Sequence, residues 1–223
     1  MINFKLVNKN KLTQNIFHLV FEIHENIKMI PGQFITFILP NNIGGRAYSI
    51  LNQKENTIEL IIKRVENGRG GSKFICDTKV GENLKGIGPA GNFVLRNNNN
   101  NKMFIGTGTG IAPLYNQIKY CLENNSGVKI KLVFGVRYKK DLFLVETLKK
   151  WKSENTNFDF EIYLSKEKFK EYKKGYVTNH ISKENIFAYK EFYVCGVPQM
   201  VDDVVKKLTQ NNINPNFIFT EKY

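Results

Sequence analysis

Gly106-Thr107-Gly108-Thr109-Gly110-Ile111-Ala112-Pro113 is the stretch whose reading decides the fold. It lies between the apolar run Met103 to Ile105 and a segment in which Leu114, Ile118 and Leu122 recur at helical spacing, so it reads as strand, tight turn and helix. Glycine suits such a turn because the chain must bend sharply and let a phosphate approach a backbone with no Cβ in the way. The helix start then offers unpaired N–H groups and a partial positive charge to an anion. A lone G-x-G-x-G serves equally well as a plain connecting loop, so the rest of the chain must decide between the two.

Downstream of the turn, strand-like and helix-like runs alternate. Val128 to Val136 reads as a buried strand, and Leu142 to Trp151 as a helix with Leu142, Val145, Leu148 and Trp151 on one face. Phe158 to Leu164, Glu191 to Cys195 and Phe217 to Phe219 read as strands, and Pro198 to Leu208 as a helix with proline near its first turn. This is the pattern of an open parallel sheet, in which ligands bind beyond the C-terminal strand ends. Cys195-Gly196-Val197-Pro198-Gln199-Met200 falls at one such end. Taken alone, Cys195 reads as a packed residue and not as a covalent nucleophile. Ser165-Lys166 follows another strand end, with Lys168, Lys170, Tyr172, Lys173 and Lys174 close behind. That segment is either a solvated face or a seat for a phosphate, although lysine lacks the fork of arginine.

Upstream, short strands broken by turns predominate: Ile16 to Phe21, Phe34 to Leu39 and Ile58 to Val65, punctuated by Pro31-Gly32-Gln33 and Pro40-Asn41-Asn42. Many short strands without a long helix predict a small antiparallel barrel. Two clusters here carry chemistry. Arg46-Ala47-Tyr48-Ser49, after Gly44-Gly45, sets a permanent cation, an aromatic plane and a hydroxyl within four residues. A guanidinium can grip a pyrophosphate, a tyrosine ring can cover a flat heterocycle, and a hydroxyl can meet a ring nitrogen. Alternation along a strand sends Tyr48 to one face and Ala47 and Ser49 to the other, so one ligand must meet the set at an edge or turn. The plain reading is an ordinary strand with one exposed arginine. Gly70-Gly71-Ser72, followed by Lys73-Phe74-Ile75, reads either as a second phosphate-binding helix start or as a simple capped helix. Cys76 in that helix reads as packing.

Asn97 to Asn101 is a run of five asparagines with neither period, read as a solvated connector. It divides the chain into domains 1–98 and 99–223. The 223 residues hold 33 Lys and Arg against 20 Asp and Glu, a formal charge of +13. The two parts hold 13 against 7 and 20 against 13, so the excess is spread and does not form the basic arm of a nucleic-acid-binding tail. Such a surface speeds encounter with an acidic partner, and it also serves solubility. No apolar run approaches the ~20 residues that span a bilayer, and the N-terminus lacks the shape of a signal peptide. Three cysteines make neither a disulfide framework nor a metal site, and fall short of the four thiolates that hold an iron–sulfur cluster. The expectation is a cytoplasmic protein without metal, membrane or nucleic-acid partner.

Pro31-Gly32-Gln33-Phe34, Arg46-x-Tyr48-Ser49, Ile62-Lys63-Arg64, Gly71-Ser72-x-Phe74, Gly88-Pro89-x-Gly91-x-Phe93 and the glycine turn occur in the order seen in ferredoxin–NADP reductases, which the chain resembles from about Gly32 to Tyr223. The resemblance implies an FAD-binding antiparallel β-barrel at 1–98 followed by a parallel-sheet, NAD(P)-binding α/β domain at 99–223. It implies that Arg46 binds the FAD pyrophosphate with Gly70, Gly71 and Ser72 opposite, and that Tyr48 lies against the isoalloxazine. Ser49 contacts the flavin near N5, and Ala47, Ile62 and Lys63 complete the flavin site. On the nucleotide side it implies Thr107, Gly108, Thr109, Gly110, Pro113, Gly196, Pro198 and Met200, with Cys195 beside the nicotinamide. Ser165, Lys166 and Tyr172 would hold the 2′-phosphate end, favouring NADP(H) over NAD(H). Glu221-Lys222-Tyr223 matches the Glu-x-Tyr ending of the plant-type enzymes, so Glu221 shapes the reacting centre and Tyr223 covers the flavin. The activity implied is hydride passage between NAD(P)H and flavin, then one-electron transfer to a separate acidic carrier, ferredoxin or flavodoxin. The alternatives are the reductase component of an oxygenase, a free-flavin reductase, and a non-enzymatic nucleotide-binding subunit of a larger electron-transfer complex.

Overall fold

The computed structural model describes residues 1–40, 42–124 and 127–223. Asn41, the middle of the expected Pro40-Asn41-Asn42 turn, lies outside the described residues. The chain divides into two compact units, Met1–Leu95 and Arg96–Tyr223.

The first unit is a closed antiparallel barrel. Its strands are β1 (Ile2–Lys11), β2 (Ile16–Glu22), β3 (Phe34–Leu39), β4 (Gly44–Lys54), β5 (Thr57–Lys63) and β6 (Asn83–Ala90), in the order β1-β2-β5-β4-β3-β6, with β6 closing on β1. Alternate residues point inward: Phe4 and Leu6, Leu19 and Phe21, Ile35 and Phe37, and Ile58, Leu60 and Ile62 fill the core. The rings of Phe4, Phe21 and Phe37 meet there edge-on or tilted, with centroids 5.1 to 6.3 Å apart. A short helix, α1 (Gly71–Asp77), lies between β5 and β6 and buries Ile75 and Cys76.

The second unit is a six-stranded sheet of β7 (Lys102–Thr107), β8 (Ile130–Val136), β9 (Phe158–Leu164), β10 (Lys173–Lys174), β11 (Glu191–Gly196) and β12 (Ile218–Lys222). All neighbours are parallel, in the order β10-β9-β8-β7-β11-β12. The chain runs outward from β7 through β10 and returns to the other side of β7, so the order switches between β7 and β11. Helices α2 (Ile111–Asn124), α3 (Val145–Glu154), α4 (Lys183–Ile186) and α5 (Pro198–Gln210) make the crossovers. In α2 the buried residues include Leu114, Ile118 and Cys121, the expected face with the cysteine in place of Leu122.

Three expectations change. Helix α3 starts at Val145 and not at Leu142. Asp141 accepts the Tyr138 N–H at 3.1 Å, closing a turn, and the chain then runs extended so that Phe143 enters the core against Phe134. The last strand starts at Ile218 and runs to Lys222, which pairs Glu221 with Cys195. The asparagine run is not a solvated connector. Asn98 and Asn100 donate to Glu191 at 2.6 and 2.9 Å, and Asn101 donates to the Ala188 carbonyl. Lys102 donates to the Asn98 side chain and to the Asn98 and Asn100 carbonyls.

The reason is a buried ion pair. Lys102 and Glu191 open the adjacent strands β7 and β11, both are fully buried, and their charged atoms are 3.3 Å apart. Charges out of water need hydrogen bonds on every remaining site, and short amides beside them supply those bonds. Burial alone would raise the Glu191 carboxyl, but Asn100, Asn98 and the Lys102 charge hold it below the usual range. Such a carboxyl stabilises the fold only while ionised. Its contribution is present above the unfolded value of ~4.3 and is lost as pH falls through the lower folded value. Lys102→Met should therefore cost about 3–5 kcal/mol in denaturant unfolding at neutral pH, because Glu191 is left buried without its cation. The variant should also lose part of the acid dependence below pH ~4.3. Wild-type stability in this variant would contradict the account of the linker.

Candidate functional site

In the barrel, β4 carries four candidate residues in succession. Against β3, Arg46 pairs with Phe37, Ala47 with Thr36, Tyr48 with Ile35 and Ser49 with Phe34. Paired residues share a face, so Arg46 and Tyr48 lie on the side of the core residues and Ala47 and Ser49 on the other. Arg46 is the third residue of β4, beside the turn from β3, and this strand end keeps all four at least partly exposed. The Tyr48 ring packs on the core 6.2 Å from Phe37. Burial, with Cys76 nearby, pushes its phenol up to about 12, so it stays neutral.

The two clusters read from the sequence come together here. A Cβ on Gly71 would lie 2.6 Å from Arg46 Cγ, so the arginine stem crosses the start of α1 where only glycine admits it. Among the described residues the guanidinium makes one hydrogen bond, from Nη1 to the Gly45 carbonyl at 2.8 Å. The rest of its fork suits a pyrophosphate. Gly70 caps α1 in the left-handed region, φ 85°, without a side-chain bond. Ser72 does not cap the helix either: its Oγ accepts the Val65 N–H at 3.1 Å. Arg64 donates to both oxygens of Asp77 at 2.8 and 2.9 Å, which holds the other end of α1. Ile62 points into the core, so only its backbone can face a ligand, while Lys63 is exposed.

In the second unit, the glycine turn and the Cys195-Gly196 turn meet at the switch between β7 and β11. A Cβ on Gly110 would lie 2.5 Å from the Cys195 carbonyl oxygen and 3.0 Å from the Gly196 nitrogen. A Cβ on Gly196 would lie 2.5 Å from Thr107 Oγ1 and 2.4 Å from Met200 Cε. Thr107 Oγ1 is buried and, among the described residues, meets no hydrogen-bond partner within bonding geometry, leaving it open to a polar ligand. Gly108 and Thr109 form a single 3₁₀ turn with Gly110, and Pro113 is buried in the first turn of α2. Pro198 opens α5 at its first position. These groups fit the phosphate and ring of a dinucleotide.

Cys195 and Glu221 are neighbours, with Sγ 3.9 Å from Oε2. Burial above all, and then Glu221, pushes the Cys195 thiol up, so it is a neutral packing group. Tyr223 spans both turns. Its hydroxyl donates to the Thr107 carbonyl at 2.7 Å and accepts the Gly110 N–H at 3.2 Å, and its own N–H donates to the Gly196 carbonyl at 3.3 Å. The residue as a whole remains 55% exposed.

Ser165 and Lys166 continue the pairing of β9 with β8, donating to the Val136 and Arg137 carbonyls at 3.0 Å each. The Tyr172 ring stacks on Phe169, which also carries the Lys139 ammonium 3.8 Å above its centroid. The open ring of this segment is Tyr176, 61% exposed, which the sequence reading did not single out. Lys174-Gly175-Tyr176 carried the signal, since Gly175 sits at φ 130° directly after β10. Gly110→Ala drives a methyl into backbone and should cost at least about 1–3 kcal/mol of stability. Gly71→Ala displaces only the Arg46 side chain, so the fold should survive while FAD affinity falls, measured by flavin release on dilution. Equal FAD retention in Gly71→Ala and wild type would contradict the Arg46–Gly71 seat.

The chain matches two family models, an oxidoreductase FAD-binding domain over residues 3–95 and an oxidoreductase NAD-binding domain over residues 104–206. It is 27% identical over 199 residues to the toluate 1,2-dioxygenase electron transfer component of Pseudomonas putida, covering 88% of this chain and 59% of that protein. The chain thus spans about six-tenths of the length of the curated relatives it matches. Among solved structures it matches the Amycolatopsis cytochrome P450 reductase GcoB with a TM-score of 0.92 at 24% identity, covering 99% of this chain and 69% of that one. It matches ferredoxin–NADP⁺ reductase from Plasmodium falciparum, solved with 2′P-AMP, with a TM-score of 0.81 at 25% identity, covering 99% and 95%. Among the described residues no helix is long and apolar enough to cross a membrane.

Proposed function

This chain belongs to the ferredoxin reductase-like family of FAD- and NAD-binding oxidoreductases, and we propose that it is the flavin-bearing reductase of a multicomponent electron-transfer system. On this reading residues 1–98 hold FAD and residues 99–223 hold the pyridine nucleotide. The observation that carries it is the meeting of two glycine turns at the β7–β11 switch, where a Cβ on Gly110 would lie 2.5 Å from the Cys195 carbonyl oxygen.

Arg46 would grip the FAD pyrophosphate, with Gly70, Gly71 and Ser72 on its other side. Tyr48 would cover the ring, Ser49 would meet its N5 edge, and Ala47, Ile62 and Lys63 would line the rest. Bound FAD supplies the redox chemistry, taking two electrons from reduced nicotinamide and releasing them singly. The chain's own part would be to bind and orient these groups. Thr107, Gly108, Thr109, Gly110 and Pro113 would hold the nucleotide from one turn, and Gly196, Pro198 and Met200 from the other. Cys195, kept neutral, would bound the nicotinamide pocket, with Glu221 as its polar edge. The Tyr223 hydroxyl occupies the Gly110 N–H and the Thr107 carbonyl, groups a nucleotide would take, so it must give way when the nucleotide arrives.

Ser165, Lys166 and the lysines after them support NADPH over NADH, as does the similarity to a reductase solved with 2′P-AMP. Tyr176 offers the adenine an exposed face. The charge of +13 supports an acidic one-electron carrier, ferredoxin or flavodoxin, as the acceptor. The names of the relatives support an oxygenase as the destination of those electrons. Three unbridged cysteines suit the cytoplasm. The test is steady-state turnover with each nucleotide and a one-electron acceptor. NADPH should give the higher kcat/KM, Lys166→Ala should lower it about tenfold for NADPH alone, and the rate with a ferredoxin should fall steeply with salt. A clear preference for NADH would reject the assignment of the phosphate, and a salt-independent rate would reject the acidic carrier.

A further inference from the structure

We propose that Glu161 is a positioning residue for the adenosine end of the nucleotide, an inference that rests on the function proposed above. Glu161 lies in the middle of β9, in a strand interior where an apolar side chain would serve the core. Its carboxylate instead gathers partners from several elements. Lys131 Nζ of β8 reaches Oε1 at 3.0 Å. Lys173 Nζ of β10 and His180 Nδ1 reach Oε2 at 2.7 and 3.1 Å, and the Tyr163 hydroxyl donates to it at 3.4 Å. Asp159 takes the other side of Lys131 at 2.6 Å and is met from outside by Lys152. Burial alone would raise the Glu161 carboxyl, but Lys173 and Lys131 hold it down at about 2, so it is ionised throughout the working range.

Lys173 precedes Tyr176 by three residues and His180 follows it by four, so one carboxylate grips the chain on both sides of the exposed ring. Between the grips, the Tyr176 N–H donates to Asn179 Oδ1 at 2.8 Å. Val177 presses onto the sheet where a Cβ on Gly135 would lie 2.7 Å from its Cγ1, and the Thr178 carbonyl accepts Lys207 Nζ of α5 at 2.9 Å. A charge cluster with several members half exposed contributes little net stability. What it adds here is direction, since bonds from β8, β10 and the 3₁₀ turn Val177–His180 to one carboxylate allow a single arrangement of the segment that carries Tyr176.

The experiment uses the flavin-loaded protein and three donors: NADPH, NADH and reduced nicotinamide mononucleotide, which lacks the adenosine half. In Glu161→Gln the KM for NADPH and NADH should rise about tenfold with kcat within twofold, and turnover of the mononucleotide should be unchanged. Asp159→Asn takes a charge from the same cluster without touching β10 or the 3₁₀ turn, and should keep wild-type constants. Lys173→Met cuts one of the two grips and should raise KM for NADH, which carries no 2′-phosphate; that rise supplies the same readout should Glu161→Gln fail to fold. An unaltered KM in both Glu161→Gln and Lys173→Met, or a parallel loss with the mononucleotide, overturns the proposal. Wild-type protein that oxidises none of the three donors overturns instead the function on which it rests.

Discussion

A methyl group at position 110 would sit 2.5 Å from the carbonyl oxygen of Cys195, well inside van der Waals contact. That close approach of two backbones is the constraint on which the second unit depends. Parallel strands β7 and β11 can deliver their ends to one point only if neither turn carries a Cβ there. The sequence places Gly110 in one turn and Gly196 in the other. The result is that backbone polar groups of both turns gather at the switch in strand order, where an open α/β sheet presents its ligands. Tyr223 reports the same surface from within, because its phenol finds both a donor and an acceptor on the glycine turn.

The barrel uses a related device. Arg46 lies across the start of α1 because Gly71 leaves it room, while the Arg64–Asp77 pair and the Ser72–Val65 bond hold the helix in place. A cation and the start of a helix are thus brought to one spot by residues 25 positions apart in the chain. Burial keeps the Cys195 thiol and the Tyr48 phenol neutral, which fits the proposed role of the chain as a scaffold for bound groups.

Much of this was legible in the sequence. Short turn-broken strands in the first part and alternation of strand and helix in the second carried both architectures, and glycines at strand ends marked the turns. What escaped the sequence depended on partners distant in the chain. The asparagine run looked like solvated linker because its partner Glu191 lies some ninety residues away and enters the same buried pair as Lys102. Glu161 looked like one more polar strand residue until β8, β10 and the 3₁₀ turn closed around it. The start of α3 moved because a local Asp141–Tyr138 turn outweighed the helical spacing of Leu142. Tyr172 drew notice among the lysines, whereas exposure singles out Tyr176.

The central claim is that one chain holds a flavin in its barrel and a reduced nicotinamide at the glycine turns, and brings them to react. An anaerobic absorption titration tests it most directly. Protein purified with FAD should show the yellow absorbance of oxidised flavin at about one flavin per chain and lose it on adding one equivalent of NADPH. Protein that stays colourless with FAD supplied, or keeps its full yellow absorbance under excess NADPH and NADH, would contradict it.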